Sequence, residues 1–244
     1  MRQKQKARIT VAACMATFGT LAPFVRQIEL SSAQLALWRA VLAAVLLGGY
    51  LAVSRRTPNW RALYKALPAL LLSGAAMGIN WILLFEAYRY TTVAVATLSY
   101  YFAPVLVTVL SVPLYKEKIS VKQAGCFAAS TAGLFFIVGA NGFGTGSSNA
   151  LGVAFGLAAA AFYAGVILLN KSILQVGGIQ RTFVQFLAAI VVLAPYVTLQ
   201  DGLSLAGLSC TGWLSLLVVG LLHTGLIYCL YFSAMEHLGR SWLF

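Results

Sequence analysis

Apolar residues run through this chain in long unbroken blocks, and the polar positions collect between them. Eight blocks stand out, at roughly 9–25, 33–53, 66–88, 93–114, 121–139, 150–169, 182–199 and 212–233. Each is close to the ~20 residues that a helix needs to cross a hydrocarbon core of ~30 Å. Strands of a membrane barrel would instead alternate apolar and polar residues over ~10 positions. Lipid offers no hydrogen bonds, so a spanning segment must satisfy its own backbone, and unbroken apolar blocks do so as helices. The pattern predicts an all-α, polytopic helical membrane protein. Arg2, Lys4, Lys6 and Arg8 ahead of the first block imitate a secretory leader. Seven further blocks favour an uncleaved first helix.

Composition agrees. Hydrophobic residues make up 61% of the 244 positions and charged ones 9%, against about 25% charged in soluble domains. A net charge of +12 would suggest nucleic acid in a soluble protein. Here its placement reports orientation. With the N-terminus in the cytoplasm, the inner loops and ends hold Arg2, Lys4, Lys6, Arg8, Arg55, Arg56, Arg61, Lys65, Lys116, Lys118, Lys122, Lys171, Arg181 and Arg240. The outer ones hold Arg26 and Arg89, and Arg39 lies within a span. Cytoplasmic loops gather Lys and Arg, so the N-terminus is expected on the cytoplasmic side. Cys14, Cys126, Cys210 and Cys229 sit in or beside apolar blocks without a CxxC pair and read as small apolar residues.

A weak internal repeat runs through the chain. "TFGTLAPFVRQI" (17–28) lies beside "FYAGVILLNKSI" (162–173). With small slips, "QLALWRAVLAA" (34–44) lies beside "QRTFVQFLAAI" (180–190), and "LFEAYRYTTVAVATL" (84–98) beside "LYFSAMEHLGRSWLF" (230–244). A first repeat of 1–140 and a second of 150–244 follow, joined by "GANGFGTGSSNA" (139–150) as a loop. One unit holds five spans. That odd number turns the second copy upside down, the inverted plan of many secondary transporters. Phe244 aligns with Leu98, early in a fourth span, so the second repeat is expected to be incomplete, with two spans missing.

The turn "EAYRYTTVAVATL" (86–98), the proline of "YYFAPVL" (100–106), "YKEKIS" (115–120), "WRAVLAAVLL" (38–47) and "AMEHLGRS" (234–241) occur in an order and spacing that resemble one family. It is the drug/metabolite transporter superfamily, in its ten-span EamA-type branch. The resemblance implies a membrane carrier similar to exporters of amino acids, metabolites and toxic compounds. The other reading is a non-transporting membrane scaffold or an inactive fragment of such a carrier.

No motif suggests an enzyme: HExxH, GxSxG and Walker sequences are missing, and no cofactor is expected. Polar groups within the spans are the candidates. Arg39 lies about six residues into its span, about 9 Å deep by helical rise. Two readings stay open: a guanidinium gripping a substrate carboxylate, or a side chain snorkelling outward or paired with Glu29 or Glu86. Asn80 and Trp81 start a stripe with Leu84 and Tyr88. Tyr100, Tyr101 and Pro104 suit an aromatic wall and a kink beside a cavity, against an interfacial belt for the tyrosines. His223, Thr224 and Tyr228 occupy the last span, and the repeat places His223 and Thr224 within a turn of the position matching Asn80. Histidine is the side chain suited to change charge between about pH 5 and 8, which makes His223 a candidate for proton coupling or a structural histidine. Glu86 and Arg89, three residues apart at the outer surface, read as a structural pair. Gly74, Gly78, Gly133, Gly156, Gly165, Gly220 and Gly225 read as packing positions. The expected partners are a small-molecule substrate bound in a central cavity and the lipid bilayer, without nucleic acid.

Overall fold

A computed structural model of the chain describes residues 2–54, 60–116, 120–140, 147–173 and 175–238. Arg55, Arg56, Lys118, Arg240, the middle of the 139–150 loop and the end of "AMEHLGRS" lie outside the described residues. Among the described residues every regular element is a helix. In chain order these are α1 (Arg2–Gly19), α2 (Leu21–Val25), α3 (Ser32–Val53), α4 (Trp60–Tyr90), α5 (Val93–Tyr100), α6 (Ala103–Tyr115), α7 (Val121–Ala140), α8 (Ser147–Ser172), α9 (Gly178–Gln200) and α10 (Cys210–Leu217), then a π-helix (Val218–Leu226) and α11 (Ile227–Leu238). Six described stretches are long and apolar enough to cross a membrane: Ser32–Val53, Arg61–Tyr90, Val93–Tyr115, Asn149–Ser172, Gly178–Gln200 and Cys210–Tyr231. Helices also occupy the first and fifth expected spans, as α1–α2 and α7. Large apolar side chains face outward, with Val53 84%, Leu199 86% and Val121 90% exposed. Such a surface requires a lipid solvent. The protein is a polytopic helical membrane protein.

Three spans are not continuous α-helices, and the residues explain two of the breaks. The first span stops at Gly19 and resumes at Leu21. Pro23 has no N–H to return to Gly19 and clashes with that carbonyl. The fourth span stops at Tyr100 and resumes at Ala103, where Pro104 sits in the first turn of α6. Its missing donor has no consequence there, so Pro104 begins a helix rather than kinking one. In the eighth span the ladder widens to i→i−5 across Val218–Leu226, as in the bond from the Ile227 N–H to the Leu222 carbonyl. The expected loop over 139–150 is shorter than read, because α8 begins at Ser147.

Helix starts follow local chemistry. Ser31 Oγ accepts from the Gln34 N–H at 3.1 Å, and Gln34 Oε1 accepts from the Ser31 N–H at 3.1 Å. This is a capping box for α3. Ser120 and Gln123 repeat it ahead of α7, at 3.2 and 2.9 Å. Thr92 and Ser209 cap α5 and α10.

The helices form two compact units. The first comprises Met1–Ala75 with Ile173–Phe244, and the second Ala76–Ser172, so the first draws helices from both sequence halves. In the first unit, Ile28, Leu35, Leu216 and Val219 form one apolar cluster, and Leu70, Ile173 and Val176 another. Gly74 brings α4 onto α9: a Cβ there would stand 2.5 Å from the Gln185 carbonyl and 2.6 Å from Ala188 Cβ. Beside it, buried Gln185 Nε2 donates to Ser73 Oγ at 2.7 Å. Gly220 and Gly225 seat Leu42 and Leu46 of α3 against the π-helix. In the second unit α8 packs on α5 and α6 around Val107, Ala164 and Leu168. Gly152 meets Thr91 and Gly156 meets Ser99. Gly133 and Gly165 have no described atom within 4 Å of where a Cβ would stand.

Candidate functional site

Arg39, His223, Thr224 and Tyr228 fall in the first unit. Asn80, Trp81, Tyr100, Tyr101 and Pro104 fall in the second.

In the first unit, Arg39 lies on α3 one turn before Leu42 and two before Leu46, the residues that fit against Gly220 and Gly225. It is therefore carried on the face of α3 that meets the π-helix. It is half-buried and within electrostatic reach of Tyr228. Glu29 and Glu86, its alternative partners in the sequence reading, each make a bond of their own. Glu29 Oε2 accepts from the Ser209 N–H at 2.9 Å. Glu86 pairs with Arg89 at 3.1 Å, as the spacing predicts. The Tyr228 ring meets the buried Phe186 ring edge-on, with centroids 6.1 Å apart.

His223 is 1% exposed and Thr224 3%, both within the wide turns of the π-helix. Thr224 Oγ1 donates to the Val219 carbonyl five residues back at 2.8 Å, so its hydroxyl proton serves its own helix. Nδ1 of His223 lies 3.3 Å from the Val218 carbonyl and Nε2 3.1 Å from Thr20 Oγ1. Phe24 stands beside the ring, centroids 5.6 Å apart. Single-turn π segments recur at functional sites, and this one holds two of the candidate residues. Thr20 was missed by sequence reasoning. Its signal is its position at a helix break three residues before Pro23.

In the second unit, Asn80 is fully buried. Its Nδ2 donates to the Ala159 carbonyl at 2.7 Å, which ties α4 to α8. Its Oδ1 is buried with no hydrogen-bond partner among the described residues. Trp81 is half-buried. Tyr100 lies between Tyr101 and Tyr163, with ring centroids at 6.4 and 5.5 Å. Tyr101 is 67% exposed, and Pro104 is also exposed. Tyr90 of α4 and Phe155 of α8 stack at 5.5 Å, and with the Tyr100–Tyr163 contact between α5 and α8 they make a wall rich in aromatic rings.

Two cations counted among the inner charges are buried within the protein. Lys171 is 8% exposed, with Nζ 4.7 Å over the Tyr115 ring, and Arg181 is 6% exposed. Tyr115 Oη donates to the Leu168 carbonyl at 2.7 Å, which holds the ring under Lys171.

Comparison with known proteins places this architecture. A solved crystal structure of a protein superposes with a TM-score of 0.70 over 96% of this chain and 80% of that one, at 17% identity; the likeness is one of fold. The uncharacterized transporter YxxF of Bacillus subtilis (strain 168) is 29% identical over 246 residues, covering 99% of this chain and 77% of that protein. The model of the EamA-like transporter family matches residues 5–139 and 150–241. With its membrane-length helices, its lipid-facing surface and polar residues set inside its spans, the chain belongs to the EamA-like transporter family and is a multi-pass membrane transporter.

Proposed function

We propose that the chain carries a small organic solute bearing a carboxylate out of the cell by alternating access. The observation that carries this reading is Arg39, a half-buried guanidinium inside an apolar span. It stands within electrostatic reach of Tyr228, on the face that meets the π-helix. A cation in a span is costly unless it has a purpose or a partner, and a guanidinium grips a carboxylate with two parallel hydrogen bonds. Tyr228 adds a hydroxyl and an aromatic face, which suits an amino acid or an amphipathic metabolite. Two EamA-like repeats, 1–140 and 150–244, inverted relative to one another, and a cytoplasmic N-terminus in a bacterial inner membrane complete the proposal. The orientation is supported by the inner-loop cations.

The test is counterflow in proteoliposomes with radiolabelled aromatic and aliphatic amino acids, and the amines that lack their carboxylate, as probes. Saturable exchange is expected, at least tenfold slower in Arg39→Ala and partly kept in Arg39→Lys, which holds the charge but not the fork. Equal exchange by Arg39→Ala of normal fold, or exchange restricted to amines without a carboxylate, overturns the assignment. No exchange of any probe favours the scaffold reading.

A further inference from the structure

The two nitrogens of His223 face an unusual pair of partners. Thr20 has one hydroxyl proton, and that proton is directed at the Thr17 carbonyl, 2.7 Å away. Toward His223 Nε2, at 3.1 Å, Thr20 therefore offers only a lone pair. The Val218 carbonyl, 3.3 Å from Nδ1, can also only accept. A neutral imidazole has one N–H and one lone pair, so it satisfies one of these oxygens and turns a lone pair on the other. An imidazolium donates to both. The Phe24 ring at 5.6 Å is within the range of a cation–π contact.

We propose that His223 is a proton-binding site of the carrier, and that Thr20 reads its occupancy. With the proton bound, His223 donates to both oxygens and the Thr20 hydroxyl closes on Thr17. When the proton leaves Nε2, the Thr20 hydroxyl turns from Thr17 to donate to the bare nitrogen. Thr20 is the single residue between α1 and α2, so this turn loosens the junction of a broken span. It is exposed while His223 is buried, and thus connects the ring to the outside of the unit.

The elements packed on the π-helix bring few other titratable groups. α3 contributes Arg39 and, eleven residues further on, Tyr50; α11 contributes Tyr228, Cys229 and Tyr231; α10 contributes Cys210; α2 contributes none. Glu236 and His237 lie more than three turns further along α11. The proton is thus held by neutral acceptors, and the cation opposing it from α3 is Arg39. The role in solute coupling rests on the transport reading above; the proton site does not.

The experiment is a ring-nitrogen NMR titration of histidine-labelled His237→Gln protein in nanodiscs, from about pH 5 to about pH 9. One transition is expected, with both ring nitrogens protonated on its acid side. Backbone amides of Thr17–Val25 should follow the same midpoint and lose their pH response in His223→Gln. Thr20→Val removes one acceptor from a charged donor and is expected to weaken proton binding about tenfold, a downward shift of about one pH unit. Thr20→Ser keeps the acceptor and should keep the midpoint. Absence of a transition, or an unmoved midpoint in folded Thr20→Val, overturns the proposal. If the titration behaves as expected while no solute moves, the transport reading fails and the proton site stands. Solute flux that ignores an imposed pH gradient overturns the coupling role.

Discussion

Gly74→Ala isolates how closely α4 must approach α9. The added methyl would meet the Gln185 carbonyl at 2.5 Å, Ala188 Cβ at 2.6 Å and Gln185 Cα at 2.8 Å. These are two backbone atoms and a Cβ, so no rotamer change relieves the clash. The helices must separate by about 1 Å to restore ordinary contact distances near 3.5–4 Å. Overpacking of this kind costs about 1–3 kcal/mol. Separation also stretches the neighbouring Gln185–Ser73 bond from 2.7 Å, and a buried hydrogen bond between membrane helices is worth about 0.6 kcal/mol. The better helix propensity of Ala returns up to about 1 kcal/mol. The balance is a loss of about 1–3 kcal/mol. Gly165→Ala is the matched control, because no described atom lies within 4 Å of its built Cβ; there propensity acts alone. Thermal unfolding in detergent, followed by tryptophan fluorescence, is expected to place Gly74→Ala several degrees below Gly165→Ala, at about 2–4 °C per kcal/mol. Equal midpoints, or a higher one for Gly74→Ala, would refute the inferred contact between the two helices.

Tyr115→Phe loses the 2.7 Å bond to the Leu168 carbonyl but keeps the ring under Lys171. It should cost about 1 kcal/mol, and Tyr115→Leu measurably more, by the same melt. Ser31→Ala removes the cap of α3 and the 2.7 Å bond to Asp201. A loss of about 1 kcal/mol is expected, with amide exchange quickened over the first turn of α3. Glu86→Gln breaks a pair whose arginine side chain is 61% exposed. Its melting midpoint should stay within about 0.5 kcal/mol of the parent, and a larger drop would mean that the pair is screened from solvent.

The class of the protein was legible in the sequence. Apolar blocks of membrane length, cations gathered in alternate loops and the loose motifs from Glu86 to Leu98 lead to a multi-pass helical carrier, because lipid admits few other solutions for such blocks. The Glu86–Arg89 pair was equally open to reading, since three residues on one helix are always neighbours. Two of the breaks were written in Pro23 and Pro104, although the sequence reading made Pro104 a kink and passed over Pro23. Burial was not legible. In lipid the outward face of a helix is as apolar as the inward one, so periodicity does not reveal which side is packed. Only the tertiary structure decided that Lys171 and Arg181 are buried. It separated Asn80 from His223 into different compact units, although the repeat had matched their positions. It also widened the ladder around His223 and brought Thr20 to its ring from 203 residues away in sequence. A contact of that kind depends on how helices cross, and no local pattern of residues records it.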